Sequence, residues 1–170
     1  DLRKALGREV FCENDANCFA LSEAVDGSGK HYKIVYGIIL GSGVGGGLVI
    51  DKKIVSGPNG VAGEWGHNQL PFVAAKKENV ETTNLRELEI ESFISGLAVA
   101  KRFSKKFKKN LKANEIFQLY RKHDLDAEQF IDDFKLNLAM SLSTIINILD
   151  PDCFVFGGGV SNEIDFLSEI

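Results

Sequence analysis

The sequence has 170 residues, of which 44% are hydrophobic and 26% charged, a composition typical of one globular domain. Its formal net charge of -4 does not favour a general nucleic-acid binder, and its longest apolar run, residues 35–50, is too rich in glycine for a membrane span. Cys12, Cys18 and Cys153 form no C-x-x-C pair and no regular framework, which excludes a disulfide scaffold and predicts a cytoplasmic protein.

The first half of the sequence predicts strands around one short helix. The predicted strands are residues 10–12, 32–40, and the two arms of a hairpin at 48–50 and 53–55. Asp15 is expected to cap a helix over residues 16–25, because its carboxylate can accept from the first free backbone N–H groups. Residues 56–71 are expected to form a loop.

The second half is predicted to be mainly helical. Residues 72–88 show no clear period and are expected to be irregular. Apolar spacing predicts helices over residues 91–107, 114–122 and 127–149. Asp126 is expected to cap the last of these, and Pro151 to end it. A buried strand is predicted at residues 153–156, followed by a glycine turn and the start of another helix.

Glycine is concentrated in short blocks, which indicates backbone held close to another group or forced to positive φ. The block at residues 41–47 is predicted to turn between two strands and to present backbone N–H groups to a phosphate. The block at residues 157–159 follows a buried strand, so its amides are expected at a sheet edge where nucleotides commonly bind. A purely structural turn remains the alternative for each block. The nucleotide candidates are Gly41, Ser42, Gly43, Gly45, Gly46, Gly157, Gly158 and Gly159.

Five polar side chains are candidates for ligand recognition or catalysis. Asn14 and Asp15 stand at a predicted strand end, where a carboxylate is either a general base or a helix cap. Glu64 and His67 lie among glycines in a loop, a setting that suits recognition of a polar ligand. Glu91 begins a predicted helix, where the helix dipole favours a carboxylate in any case.

The order of these features resembles the ROK family of repressors, open reading frames and sugar kinases. The matching stretches are ENDANCFALSEA (13–24), GSGVGGG (41–47), AGEWGHN (62–68) and IESFISG (90–96). The resemblance implies an α/β fold, a ribonuclease-H-like, actin-like ATPase lobe in which a mixed sheet packs with helices. Residues 1–170 are expected to be the larger C-terminal lobe of a two-lobed sugar kinase. The family's Asp-x-Gly-Gly-Thr phosphate loop is absent, so the N-terminal lobe is expected to be missing from these residues.

The resemblance also implies roles for the candidate residues. The expected reaction is ATP-dependent phosphorylation of a hexose at its 6-hydroxyl, with Mg²⁺ accompanying ATP and Asp15 as the catalytic base. Asn14, Glu64, His67 and Glu91 match residues that hold sugar hydroxyls, whereas the two glycine blocks match the phosphate and adenosine segments. The residues around Glu64 and at positions 24–27 are most similar to those of bacterial fructokinases, with N-acetylglucosamine kinases next. The chain alone is expected to be inactive, because half of the cradle around ATP is missing.

The sequence departs from the family pattern at its structural zinc site. Thr82, Asn84 and Glu89 stand where most members have three cysteines, so no zinc and no other metal site is predicted. His67 then needs another group to orient its ring, and Glu89 is one candidate partner.

Two other functions remain open at this stage. One is a sugar-responsive transcriptional repressor of the same family, which would require a helix-turn-helix ahead of residue 1. The other is a sugar-binding protein that has lost catalysis. The expected partners are hexose and ATP, with no nucleic acid, no membrane and a homo-oligomer as an option. The basic stretch between Lys101 and Lys112 is interpreted as a solvated helix end.

Overall fold

A four-stranded mixed sheet lies at the centre of the computed structural model, which describes residues 1–71 and 84–167. The strand order is β3-β2-β1-β4. β1 (Ile34–Leu40) pairs antiparallel with β2 (Val44–Ile50), and β3 (Lys53–Ile54) extends the β2 edge. β4 (Cys153–Gly157) runs parallel to β1, so the carboxyl ends of β1 and β4 lie at the same sheet edge.

The described ranges contain six α-helices, numbered here in chain order. They are α1 (Leu2–Leu6), α2 (Asp15–Val25), α3 (Glu91–Ile94), α4 (Gly96–Phe107), α5 (Ala113–Arg121) and α6 (Leu125–Leu149). Three 3-10 turns accompany them, at Trp65–His67, Leu85–Leu88 and Ser161–Glu163. No helix in the described part of the chain combines the length and the apolar character needed to cross a bilayer.

The two faces of the sheet are covered differently, as the alternation of side chains along a strand requires. On one face, α2 packs through Ala20 and Ala24 against Val35 and Val49. On the other face, a larger core of aliphatic and aromatic side chains lies beneath α3 to α6. Edge-on ring contacts join those helices, for example Phe117 to Phe134 with centroids 5.6 Å apart.

The hairpin, the strand at residues 153–156 and the two later helices are confirmed within a few residues. The predicted caps were each wrong by one or two positions. Asn14, not Asp15, caps α2, and Asp124, not Asp126, caps α6 by accepting from the Ala127 N–H at 3.1 Å. Each true cap has extended backbone just before the first helical turn, which is the conformation that aims its side chain at the free N–H groups.

Three further predictions of secondary structure were wrong. The helix predicted over residues 91–107 is broken at Ser95, whose extended backbone lets its hydroxyl cap α4 by accepting from the Ala98 N–H. The expected helix after residue 159 is, within the described residues, only the 3-10 turn at Ser161–Glu163. β2 begins at Val44, so residues 45–47 lie in a strand and the turn is confined to residues 41–43.

The strand predicted at residues 10–12 does not form. Among the described residues, no backbone group of this segment is hydrogen-bonded to another backbone group, and Phe11 is 85% exposed. A strand is stabilised by its neighbour, and this segment has none in the described sheet. An irregular segment is predicted at residues 72–88. Residues 72–83 lie outside the described residues, and Leu85–Leu88 form a 3-10 turn.

At Gly47 the backbones of α2 and β2 approach closely, and this contact generates a prediction about stability. A Cβ at this position would lie 2.6 Å from the Ala16 carbonyl oxygen and 2.9 Å from Asn17 Cα, both of which are backbone atoms. We expect Gly47→Ala to lower the free energy of unfolding by about 1–3 kcal/mol, because the helix must move away from the strand. Urea denaturation followed by circular dichroism measures the change.

Gly159→Ala is the matched control, because a Cβ there meets nothing within 4 Å. Its stability should stay within about 0.5 kcal/mol of the wild type. Equal stability of Gly47→Ala and the wild type would contradict the close contact between α2 and β2.

Candidate functional site

Asn14 links the start of α2 to the loop that follows β3. Its Oδ1 accepts from the backbone N–H groups of Ala16 at 2.8 Å and Asn17 at 3.2 Å. Its Nδ2 donates to Glu64 Oε1 at 3.2 Å. Asp15 is the first residue of α2, and among the described residues its exposed carboxylate accepts only from the Ala16 N–H, at 2.9 Å. The structure therefore brings Asn14 and Glu64 together and leaves Asp15 open to solvent beside them.

The loop that carries Glu64 and His67 is anchored to the sheet by Trp65. The indole N–H of this buried side chain donates to the Gly45 carbonyl at 3.0 Å. Tyr36 donates its hydroxyl to the Gly63 carbonyl at 2.9 Å. Burial, with the charge of Glu64, raises the pKa of Tyr36, so this hydroxyl remains a donor at neutral pH. The first hydrogen bond holds the loop against β2, and the second ties it to β1.

The imidazole of His67 is oriented by Glu89, as the sequence suggested. Its Nδ1 lies 3.1 Å from Glu89 Oε2. Backbone hydrogen bonds from Leu70 N–H to the Leu88 carbonyl, at 2.7 Å, and from Ile90 N–H to the Asn68 carbonyl, at 2.8 Å, bring these two segments side by side. The hydrogen bond with Glu89 is the main cause that raises the pKa of His67, and the charges of nearby carboxylates add to it.

Glu91 is fastened to the glycine turn between β1 and β2. Its Oε2 accepts from the Val44 N–H at 2.8 Å. A Cβ on Gly43 would lie 2.6 Å from the same oxygen, so a side chain there would displace the carboxylate from this position. One carboxylate oxygen is thereby positioned by the backbone. The charges of Glu91 and Glu64 both add to the raised pKa of His67, and these three side chains are grouped with Asn14 below as the polar cluster.

The two glycine blocks meet at the carboxyl ends of β1 and β4. Val160 N–H donates to the Leu40 carbonyl at 2.8 Å, and Gly96 N–H donates to the Gly41 carbonyl at 2.7 Å. Gly158 has a φ of 91° and lies so close to the Leu40 carbonyl that a Cβ would overlap it. The start of α4 and the segment after β4 are therefore both held by the end of β1.

A cleft of about 430 Å³ opens where these segments meet. Its lining residues are Gly41, Ser42, Gly96, Leu97, Ala113, Asn114, Gly159, Val160 and Glu163. Three of the predicted nucleotide residues are among them: Gly41, Ser42 and Gly159. The lining does not include Gly43, Gly45, Gly46, Gly157 or Gly158.

Several of these other glycines have a packing role that the sequence did not show. Gly46 is buried, and a Cβ there would lie 2.6 Å from the Gly63 carbonyl and from Trp65 Cδ1. Gly157 lies in β4, where a Cβ would lie 2.7 Å from the Phe19 ring. In β2, Gly46 thus lets the loop approach one face of the strand, and Gly47 lets α2 approach the other face.

Sequence reasoning missed Leu97, Asn114 and Glu163 as lining residues of the cleft. Leu97 belongs to the apolar spacing that predicts a helix over residues 91–107, and this spacing fits either the core or an interface. Leu97 is 67% exposed, at the first turn of α4 beside the Gly41 turn. Leu97 lies outside the core because the helix breaks at Ser95 and restarts at Gly96. The apolar spacing of the sequence does not show this break.

The residues present do not fit the structural zinc of the family pattern. His67 and Glu89 supply two ligands, whereas structural zinc requires four. The Asn84 side chain accepts from the Arg86 N–H at 3.2 Å as the cap of a 3-10 turn, and Thr82 lies outside the described residues. In residues 1–71 and 84–167, no group of three His, Cys, Asp or Glu side chains could hold a metal ion.

Comparison with known proteins shows which family the chain matches and which relatives it resembles. A family model described as ROK family matches residues 1–170. An N-acetyl-D-glucosamine kinase from Histophilus somni is 41% identical over 99% of this chain and 57% of its own length. The ROK hexokinase from Thermus thermophilus is 28% identical with a TM-score of 0.85, over 99% of this chain and 56% of that one.

Two further structures bear on the ligands and on the alternatives. A ROK family glucokinase from Streptomyces griseus, solved with glucose and AMPPNP, is 26% identical with a TM-score of 0.75, over 95% of this chain and 56% of that one. A ROK family transcriptional regulator, a homologue of an Escherichia coli protein, has a TM-score of 0.83 over 99% of this chain and 44% of that one, and at 22% identity it shows the shared fold alone. The chain thus spans little more than half the length of the curated relative and of the kinase structures.

The contact between His67 and Glu89 predicts a pH dependence. Because the folded pKa of His67 lies above its ordinary value of 6.5, the pair stabilises the protein below about pH 6.5 and this contribution is lost as pH rises through the folded pKa. We expect Glu89→Gln to move the pKa of His67 down towards 6.5, as followed by NMR titration of the imidazole between pH 5 and 9. His123 resonances, which the substitution does not touch, are the internal control. An unchanged His67 titration would contradict the pairing.

Proposed function

The chain belongs to the ROK family, and on that premise we propose that the protein is an ATP-dependent sugar kinase acting on the 6-hydroxyl of N-acetylglucosamine. The sequence motifs favoured fructose as the substrate. The similarity of the chain to an N-acetyl-D-glucosamine kinase over 99% of its length instead supports N-acetylglucosamine. The relatives are nearly twice as long, so the proposal concerns the whole protein.

The observation that carries the proposal is the exposed carboxylate of Asp15 beside the polar cluster of Asn14, Glu64, His67 and Glu91. A sugar hydroxyl has too high a pKa to attack ATP unaided, so Asp15 would accept its proton as the new O–P bond forms. The four cluster residues would hold the other hydroxyls. Rigidly placed acceptors discriminate sugars, because a wrong epimer leaves buried polar groups unpaired.

We assign ATP to the cleft on the other side of the glycine turn. Glu91 accepts from the Val44 N–H directly after this turn and lies beside Gly43, whereas Gly41 and Ser42 line the cleft, so the turn separates Glu91 from the cleft. The free amides of the turn would meet the phosphates, which arrive with Mg²⁺. Phosphoryl transfer requires chiefly positioning and charge stabilisation, which a turn held on both sides can supply.

We propose further that these residues are the larger C-terminal lobe of a two-lobed enzyme. The segment at residues 10–12 has strand composition without a strand partner in the described sheet, and Phe11 at its centre is 85% exposed. The relatives carry additional length that could supply the partner. The chain alone is then expected to be inactive, because half of a cleft neither buries its ligands nor excludes water.

The two other functions receive less support. The transcriptional regulator shares the fold, but its identity is too low to carry a function to this chain. A sugar-binding protein without catalysis would not need a carboxylate exposed at the start of α2, where Asn14 already supplies the cap. The presence of both Asn14 and Asp15 therefore favours a kinase.

Substitution of the proposed base tests this function in the full-length protein. We expect Asp15→Asn to lower kcat for N-acetylglucosamine by on the order of 10²–10⁴-fold, because the amide cannot accept a proton. Binding of the sugar, measured by calorimetry, should survive, since Asn14 and Glu64 remain. An assay coupled to ADP release measures turnover.

Asp26→Asn is the matched control, because it removes an exposed carboxylate from the opposite end of the same helix. Its activity should equal that of the wild type. Near-normal turnover by Asp15→Asn would exclude Asp15 as the base. A wild type with a higher kcat/KM for fructose than for N-acetylglucosamine would exclude the proposed substrate.

We also propose that the protein holds no structural zinc. His67 and Glu89 satisfy each other, and Asn84 is engaged as a cap, so the remaining donors are too few. Elemental analysis of protein purified without chelator should find well under one zinc per chain. One zinc per chain, with His67 among its ligands, would overturn the correspondence between Glu89 and a family cysteine.

A further inference from the structure

Arg121 joins the end of α5 to the wall of the cleft. Its Nη1 donates to Glu163 Oε2 at 2.8 Å, its Nη2 to the Glu163 carbonyl at 3.1 Å, and its Nε to Asp165 Oδ2 at 3.2 Å. Both terminal nitrogens of the guanidinium thus donate to Glu163, and Nε donates to Asp165. Lysine could not make these three contacts at once.

Glu163 is the only charged side chain that lines the cleft in the described part of the chain. Its side chain is 20% exposed, and an unpaired carboxylate there would repel a polyphosphate. Arg121 offsets this charge from behind the wall through its shorter ion pair, 2.8 Å to Glu163 against 3.2 Å to Asp165. Because Arg121 itself is not a lining residue, it compensates Glu163 without occupying the space of a ligand.

The same contacts set the position of the wall. α5 contributes Ala113 and Asn114 at its first turn, and Arg121 is its last residue. Phe166, which is 3% exposed, packs on Phe117 and Tyr120 of α5, with ring centroids 6.5 and 6.1 Å apart. These ring contacts join α5 to the segment after β4, but the hydrogen bonds from Arg121 hold the Glu163 side chain itself.

We infer that Arg121 is a positioning residue for ATP, which holds Glu163 against the end of α5 and offsets its charge at the cleft wall. The inference rests on the proposed function in taking ATP as the occupant of the cleft. Neither of the two glycine blocks nor the polar cluster contains Arg121, and the residue does not touch the proposed sugar site. Its effect should therefore fall on the nucleotide and not on the sugar.

The test is steady-state kinetics of the full-length protein, with ATP and N-acetylglucosamine varied in turn. Arg121→Met should raise KM for ATP about three- to tenfold, while kcat and KM for the sugar stay within about twofold, because binding is lost equally in ground and transition states. Arg121→Lys should recover part of the loss. Glu163→Gln should leave KM for ATP equal or lower, and the double variant Arg121→Met/Glu163→Gln should improve on Arg121→Met.

Lys106→Met is the control, since it breaks an ion pair of similar exposure, with Asp133 at 3.0 Å, at the far end of α4 from Leu97. It should not change KM for ATP. An Arg121→Met variant with the wild-type KM for ATP would overturn the inference. So would equal losses from Arg121→Met and Glu163→Gln without recovery in the double variant, which a purely structural contact predicts.

Direct binding of an ATP analogue, measured by calorimetry, separates this inference from the proposed function. If the wild type binds the analogue but phosphorylates no sugar, the proposed kinase activity fails, and a weakened Arg121→Met still supports the role of Arg121. If the wild type phosphorylates sugar and Arg121→Met binds the analogue equally well, only the inference fails. A wild type that binds no analogue would overturn ATP as the occupant and the inference with it.

Discussion

The end of β1 holds the rest of the site in place. The carbonyls of Leu40 and Gly41 accept from Val160 and Gly96, so one strand end fixes both the segment after β4 and the start of α4. Buried backbone carbonyls must be paired, and these two find their partners in segments that are distant in sequence. The approach requires glycine at position 158, where any side chain would overlap the Leu40 carbonyl. The cleft exists because these segments cannot separate without leaving polar groups unpaired.

β2 extends this arrangement to the polar cluster. Its glycines alternate between faces, so α2 reaches the strand at Gly47 while the loop with Trp65 reaches it at Gly46. Asn14 at the start of α2 and Glu64 in the loop are then joined by a hydrogen bond of 3.2 Å. Small residues in a strand normally weaken it, but here they allow two elements to bring side chains from opposite faces together.

Much of the site could be predicted because its residues lie in short, specific stretches. The matches around Asn14, Glu64 and Glu91 gave the family, and the zinc argument led to Glu89 as the partner of His67. Other features depend on tertiary contacts that a sequence pattern does not contain. Leu97 has the spacing of a core residue but faces the cleft, because the helix restarts at Gly96. Similarly, a glycine that binds phosphate and one that admits a neighbouring backbone look the same in sequence.

A crystal structure of the full-length protein with N-acetylglucosamine and a non-hydrolysable ATP analogue would test the central claim, that the glycine turn separates a sugar site from a nucleotide site. The account predicts the sugar 6-hydroxyl within hydrogen-bond distance of the Asp15 carboxylate, and the nucleotide against Gly159 and Leu97. A nucleotide bound outside this cleft, or a sugar whose 6-hydroxyl points away from Asp15, would contradict it.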